Sequence, residues 1–209
     1  MSFNLLKLVR LVAVLTLAVT SLPAATLTTV PMQGGMVMPM VSYNAAAARL
    51  EVMMPPEIPQ LTPLLVSNPG DGFDAADPWF AALDPSARGD SFSRRYGFVM
   101  APQTDLLPEG TQMWIRKLSG PTELSVYQYS GSDPKAMEPI FGTAGSPLAR
   151  PWNGMMFHPL FAAPPGTNEL VASFQLYLVN AASGQEVTGS ASEILEFRWS
   201  NVVDGRPVL

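Results

Sequence analysis

The sequence predicts an all-β chain: an antiparallel β-sandwich with two long irregular loops, preceded by a signal peptide. Two observations predict the sandwich. The chain holds 16 glycines and 21 prolines in 209 residues, too many for a helical bundle and suited to short strands joined by turns. Several segments also alternate apolar and polar residues with period two, which sends successive side chains to opposite faces of a sheet. A third observation, a basic and then apolar N-terminus, predicts the signal.

In chain order, residues 1–25 carry the tripartite pattern of a secretory signal. Lys7 and Arg10 form the basic region, Leu11 to Leu22 is apolar apart from Thr16, Thr20 and Ser21, and Pro23-Ala24-Ala25 offers small residues for cleavage. The apolar run is shorter than the roughly 20 residues of a membrane span, and no second long run follows, so no span is expected in the mature chain. Residues 26–48 are apolar, glycine-interrupted and alanine-rich, and no element is assigned to them, although Ala45 to Glu51 would suit two helical turns. Residues 49–209 are read as one β-sandwich domain.

Within that domain, Leu50, Val52 and Met54 alternate with Arg49, Glu51 and Met53. Phe92, Tyr96, Phe98 and Met100 share a parity. Met113 and Ile115 oppose Gln112, Trp114 and Arg116, and Leu124 and Val126 oppose Ser125, Tyr127 and Tyr129. The clearest pair is last. Phe174, Leu176 and Leu178 oppose Ser173, Gln175 and Tyr177; Leu195, Phe197 and Trp199 oppose Glu196 and Arg198; Ala182 to Gln185 reads as a turn between them. Strands apolar on one face and polar on the other belong to antiparallel sheets, and these last two suit an immunoglobulin-like sandwich at the level of pattern. Residues 68–91 and 131–166 do not alternate and are expected to be the two long loops, with one helical turn within Asp77 to Ala87. Loops of this length are often functional.

The charge of −5 becomes −7 once Lys7 and Arg10 leave with the signal. An acidic chain with no basic cluster is not built for nucleic acid or anionic lipid. The absence of cysteine removes disulfides, thiolate metal sites and cysteine nucleophiles. Gly89-Asp90-Ser91-Phe92 resembles the nucleophile block of the GDS-type lipases and esterases. Those enzymes need a late histidine with an aspartate three positions before it; here the sole histidine is His158 and residue 155 is methionine. No G-x-S-x-G occurs, and no carboxylate pair is marked out by spacing. The expectation is therefore not an enzyme but an exported, non-catalytic binding or structural protein of the periplasm, cell surface or medium, with a protein or glycan partner.

Three residue sets are candidates for its site. In the first loop, Asp71, Asp74 and Asp77 supply acceptors, Trp79 and Phe80 an apolar anchor and Arg88 a cation, a mixture fitting a recognition surface. Asn68 continues the every-third-residue spacing of those aspartates, and closely spaced oxygen ligands would suit Ca²⁺, as in a calcium-dependent carbohydrate-binding module; aspartates capping a run of turns explain the spacing equally well. The chain has twelve methionines. Met36, Met38 and Met40 recur with period two, and Met155 and Met156 precede His158. Thioethers with an imidazole suit Cu(I), whereas Met53, Met54, Met100 and Met113, lying inside apolar runs, read as core fillers. The loop aromatics Phe73, Phe141, Trp152, Phe157 and Phe161 would stack on a partner if exposed, and are expected to fold inward.

Overall fold

A computed structural model describes residues 24–64, 71–83, 90–131, 136–166 and 168–201. Residues 1–23 of the expected signal (1–25), and Asn68, Arg88 and Gly89, lie outside the described residues. The chain is all-β with several sheets. Among the described residues fourteen strands run in order: β1 (Thr26–Leu27), β2 (Met40–Asn44), β3 (Arg49–Met53), β4 (Gln60–Leu61), β5 (Gly72–Phe73), β6 (Ser91–Ser93), β7 (Val99–Met100), β8 (Thr111–Ser119), β9 (Ser125–Tyr129), β10 (Met137–Pro139), β11 (Ala149–Trp152), β12 (Leu160–Ala163), β13 (Glu169–Asn180) and β14 (Leu195–Asn201). The one α-helical segment among the described residues, α1 (Phe80–Leu83), is a single turn.

The strands form a five-stranded sheet in the order β11-β8-β13-β14-β4, a four-stranded sheet β10-β9-β12-β6, a three-stranded sheet β3-β2-β7 and the pair β1-β5. Most pairings are antiparallel, as expected, but β1–β5, β14–β4 and β2–β7 are parallel. One core lies where the inner faces of the three larger sheets meet. Phe174, Leu176, Leu178, Leu195, Phe197 and Trp199 all enter it, with Val126 and Phe161 from the four-stranded sheet and Val41 and Leu50 from β2 and β3. Rings dominate the centre: Tyr96 stacks on Phe197 at 4.2 Å between centroids, and Phe161 lies 4.6 Å from Trp199. Such pairs add to plain area burial.

In the four-stranded sheet, β12 is buried on both faces. Phe161 and Ala163 of β12 face the main core, while Leu160 and Ala162 join Phe92, Tyr127, Val30, Leu83 and Trp79 in a second cluster. This double burial corrects the reading of residues 131–166 as a loop, since they carry β10, β11 and β12. A strand covered on both sides has no need to alternate, and Leu-Phe-Ala-Ala shows none. β11 escaped notice through Pro151, which a sheet tolerates because β11 is an edge strand.

Other expectations are revised in detail. Ala45 to Ala48 is the turn of the β2–β3 hairpin and Glu51 is in strand, so the two-turn helix is not formed. The shared parity of Phe92, Tyr96, Phe98 and Met100 is not one strand: β6 pairs with β12, β7 pairs with β2, and Phe92 enters the second cluster while Tyr96 and Phe98 enter the main core. Met53 is 60% exposed, not a core filler. Among the described residues no helix is long and apolar enough to cross a membrane.

Candidate binding cleft and methionine–histidine face

Two places on the surface collect residues with binding chemistry. The first is an open cleft of about 720 Å³ between the start of β8 and the chain from β11 to Phe157. Thr111, Gln112 and Met113 line it from β8, Arg150, Pro151 and Trp152 from the neighbouring strand β11, and Asn153, Met155, Met156 and Phe157 from the chain that follows. A tight turn shapes that end. Gly154 has φ of 82°, and a Cβ there would lie 2.8 Å from Met100 Cγ and 3.2 Å from Met113 Cε, so only glycine lets the chain press onto these methionines. The Asn153 side chain accepts the Met155 N–H, and the Trp152 indole donates to the Met155 carbonyl at 2.7 Å. Trp152 is thereby pinned with its ring largely buried, while Met155 and Met156 stay 69% and 58% exposed.

Arg150 brings the charge. Its guanidinium lies 4.4 Å over the Phe157 ring and donates to the Gln128 side-chain carbonyl. Burial lowers its pKa, opposed by Glu138, yet arginine stays protonated in proteins. Glu138 itself accepts from Ser130 and Gln128, which holds its carboxyl below the ordinary value. Among the described residues that line the cleft there is no carboxylate, imidazole or serine hydroxyl.

The second place is an outer face. Val37 bridges Tyr96 in parallel and Phe98 bridges Phe157 antiparallel, and the β2–β7 register Met40↔Val99 continues the first of these. Counting along the two registers sets Met38 beside Gly97 on one flank and His158 on the other. In the next row, Met53, Met40 and Val99 are cross-strand partners, with Met156 following. Val37, Val41, Tyr96 and Phe98 are buried in the core, so by alternation the intervening residues Met36, Met38, Met40, Gly97, Val99, Met156 and His158 point outward. The period-two reading of Met36, Met38 and Met40 thus describes their placement: Met36 is exposed and the other two are half-buried. Met155 has the opposite parity to His158 and belongs to the cleft.

His158 fills the gap left by Gly97. A Cβ on Gly97 would fall 2.5 Å from its ring atoms. Nδ1 sits 3.1 Å from the Arg94 carbonyl and 3.2 Å from that of Tyr96. Both partners are acceptors, so Nδ1 carries the proton. The register explains the need: the residue opposite Tyr96 is Pro159, which has no N–H to give, and the imidazole supplies the missing donor. Nε2 is then a lone-pair acceptor, and it is buried without a hydrogen-bond partner. Burial pushes the ring's pKa below the usual 6.5 against the pull of the two carbonyls, so the neutral form prevails at pH 7.

The residues of the first loop are occupied differently. Trp79 is fully buried in the second cluster, edge-on to Phe73 at 5.6 Å, and its indole donates to the Thr28 carbonyl. Phe80 is half-buried beside it. Asp71 accepts from the Ala25 N–H and Asp74 from the Ala76 N–H, and Asp77 is buried. Among the described residues no three His, Asp or Glu side chains cluster as metal ligands would. Sequence reasoning passed over Arg150 and Gly97, and placed Met53 in the core. Only Gly97 left a signal: a glycine between Tyr96 and Phe98, inside a strand pattern, marks close approach by another group.

No known protein family, curated protein or solved structure significantly matches the chain.

Proposed function

We propose that this is an exported β-sandwich protein that works by binding, and that the cleft beside Trp152 takes a ligand with an apolar body and an anionic end. The observation that carries this reading is the cleft itself. Its volume falls within the few hundred to about 1,000 Å³ of ligand sites, and its lining joins apolar side chains with Thr111, Gln112, Arg150 and Asn153. Thioethers and rings supply adaptable apolar contact, and Arg150, backed by Phe157, supplies one oriented cation. A lining without acid–base pairs favours retention of a ligand over its conversion. Export rests on the N-terminal pattern, and N-terminal sequencing of protein recovered outside the cytoplasm would test it by finding the chain to begin near Thr26.

Anilinonaphthalene sulfonate, an aromatic body with one sulfonate, is a direct probe of the cleft. Its fluorescence should rise saturably with the folded protein. Arg150→Gln should weaken binding by about tenfold, the loss of one charge-assisted contact of about 1.4 kcal/mol. Met155→Glu, placing a carboxylate on the exposed rim, should weaken it further. Equal binding by the wild type and both variants, with unchanged melting, would remove the cleft from consideration.

A further inference from the structure

The Met38–Gly97–His158 row sets a thioether and an imidazole on one face by register, with the imidazole proton held on Nδ1. A histidine that ligates a metal almost always donates its other ring N–H to a carbonyl or carboxylate, which fixes the tautomer and frees the ligating nitrogen. His158 is held in that state by the carbonyls of Arg94 and Tyr96. Its Nε2 is buried and unpartnered, a condition that costs free energy unless something occupies the lone pair. Across Gly97, which has no side chain to intervene, the register sets Met38. Met40 follows on the same face of the same strand, about 7 Å along.

The donors select the metal. Thioether sulfur is soft and, together with imidazole, suits Cu(I); the harder divalent ions prefer carboxylates and carbonyls. The chain has no cysteine to compete. Two cations lie nearby: Arg94, whose charge acts on His158, is bound to the Val30 carbonyl and lies over the Tyr129 ring, and Arg95 is paired with Glu57 and bound to the Gly35 carbonyl, which reduces their repulsion of a monovalent ion.

We propose that this outer face binds one Cu(I) ion through His158 Nε2 and the thioethers of Met38 and Met40. The site is separate from the cleft, and its occupancy does not depend on the cleft having a ligand. It predicts a binding preference that follows softness, with Ag(I) as a redox-inert substitute and Zn²⁺ excluded.

The test is a titration of the whole mature protein with Cu(I) under anaerobic ascorbate, against bicinchoninate as a coloured competing chelator. The wild type should withdraw one equivalent from the chelator. Met38→Leu and Met40→Leu preserve bulk and apolarity; each should weaken binding by about tenfold or more with no change in melting temperature. Met137→Leu, on β10 away from this face, should bind as the wild type does. His158→Gln should abolish binding. Because that variant loses a backbone partner and its fold is at risk, the histidine is also read in the wild type, where Ag(I) should shift the His158 ring and Met38 methyl resonances together. Failure of the wild type to compete, undiminished affinity in Met38→Leu, or equal loss in Met137→Leu would each overturn the proposal.

Discussion

His158 occupies the volume that any side chain on Gly97 would need: a Cβ at residue 97 would lie 2.5 Å from Cε1 and Nδ1 of the ring. The pair joins two strands that pairing alone leaves unfinished. Gly97→Ala should therefore displace the imidazole and break its bonds to the Arg94 and Tyr96 carbonyls. The expected cost is about 1–3 kcal/mol, typical of overpacking, measured by chemical denaturation. The double variant Gly97→Ala/His158→Ala should cost less than the sum of the singles, because the clash vanishes with the ring. Additive costs would show that the ring does not sit over residue 97.

Phe197 is fully buried, stacked on Tyr96 at 4.2 Å and 5.3 Å from Phe98. Phe197→Ala should cost about 3–5 kcal/mol, as other large core truncations do. A loss below about 1 kcal/mol would be incompatible with a ring at the meeting point of the sheets.

Trp79 separates packing from binding in the cleft. Trp79 closes the second cluster and its indole holds the Thr28 carbonyl. Trp79→Ala should destabilise by about 3–5 kcal/mol, while any variant protein that remains folded should bind anilinonaphthalene sulfonate with wild-type affinity. Asp74→Asn keeps a side-chain oxygen for the Ala76 N–H and should leave the melt unchanged. A stable Trp79→Ala protein would return the ring to the surface.

Alkaline pH should unfold the protein partly through Tyr177. Burial raises its phenol above the ordinary 10.0, and the Arg116 guanidinium, 4.4 Å over the ring, opposes the rise. The folded pKa exceeds the unfolded one, so the contribution is complete below about pH 10 and lost as pH rises through the folded value. Tyr177→Phe should show a shallower loss of stability above about pH 10 than the wild type. Parallel profiles would mean that the hydroxyl is as accessible in the fold as in the unfolded chain.

What the sequence revealed of this fold follows from which strands have one wet face. β13 and β14 present polar residues opposite Phe174 and Phe197, so their alternation names the core. β12 is covered on both sides, and Leu160 to Ala163 gives no period to find. β11 is interrupted by Pro151, and β6 and β7 are three and two residues long, below the length at which alternation has meaning. Of the candidate site, the Met36–Met40 spacing was legible because it is a property of one strand. The juxtaposition of Met38 with His158 was not, since it depends on two inter-strand registers meeting at Gly97 across a large separation in sequence.

The return from β13 to β14 holds a last consequence of that kind. After the turn at 181–183 the chain runs back along β13 before β14 begins, and here two hydroxyls replace ladder carbonyls. Ser190 Oγ accepts the Leu178 N–H at 3.0 Å, and Ser192 Oγ accepts the Leu176 N–H at 3.1 Å; both serines are buried. Truncating either one to alanine removes the acceptor of a buried backbone donor. The full desolvation penalty then applies, about 1–3 kcal/mol for each site. Ser192→Ala should be the costlier, because the same hydroxyl also donates to the Glu193 carbonyl at 2.7 Å. Ser183→Ala, in the exposed turn, should fall within about 0.5 kcal/mol of the wild type. Amide hydrogen exchange makes the assignment specific: exchange at Leu178 should accelerate in Ser190→Ala and at Leu176 in Ser192→Ala, with β8 amides slowed or quickened only as far as global stability changes. Uniform acceleration across β13 in both variants would show that the serines support the segment as a whole and do not hold those two amides.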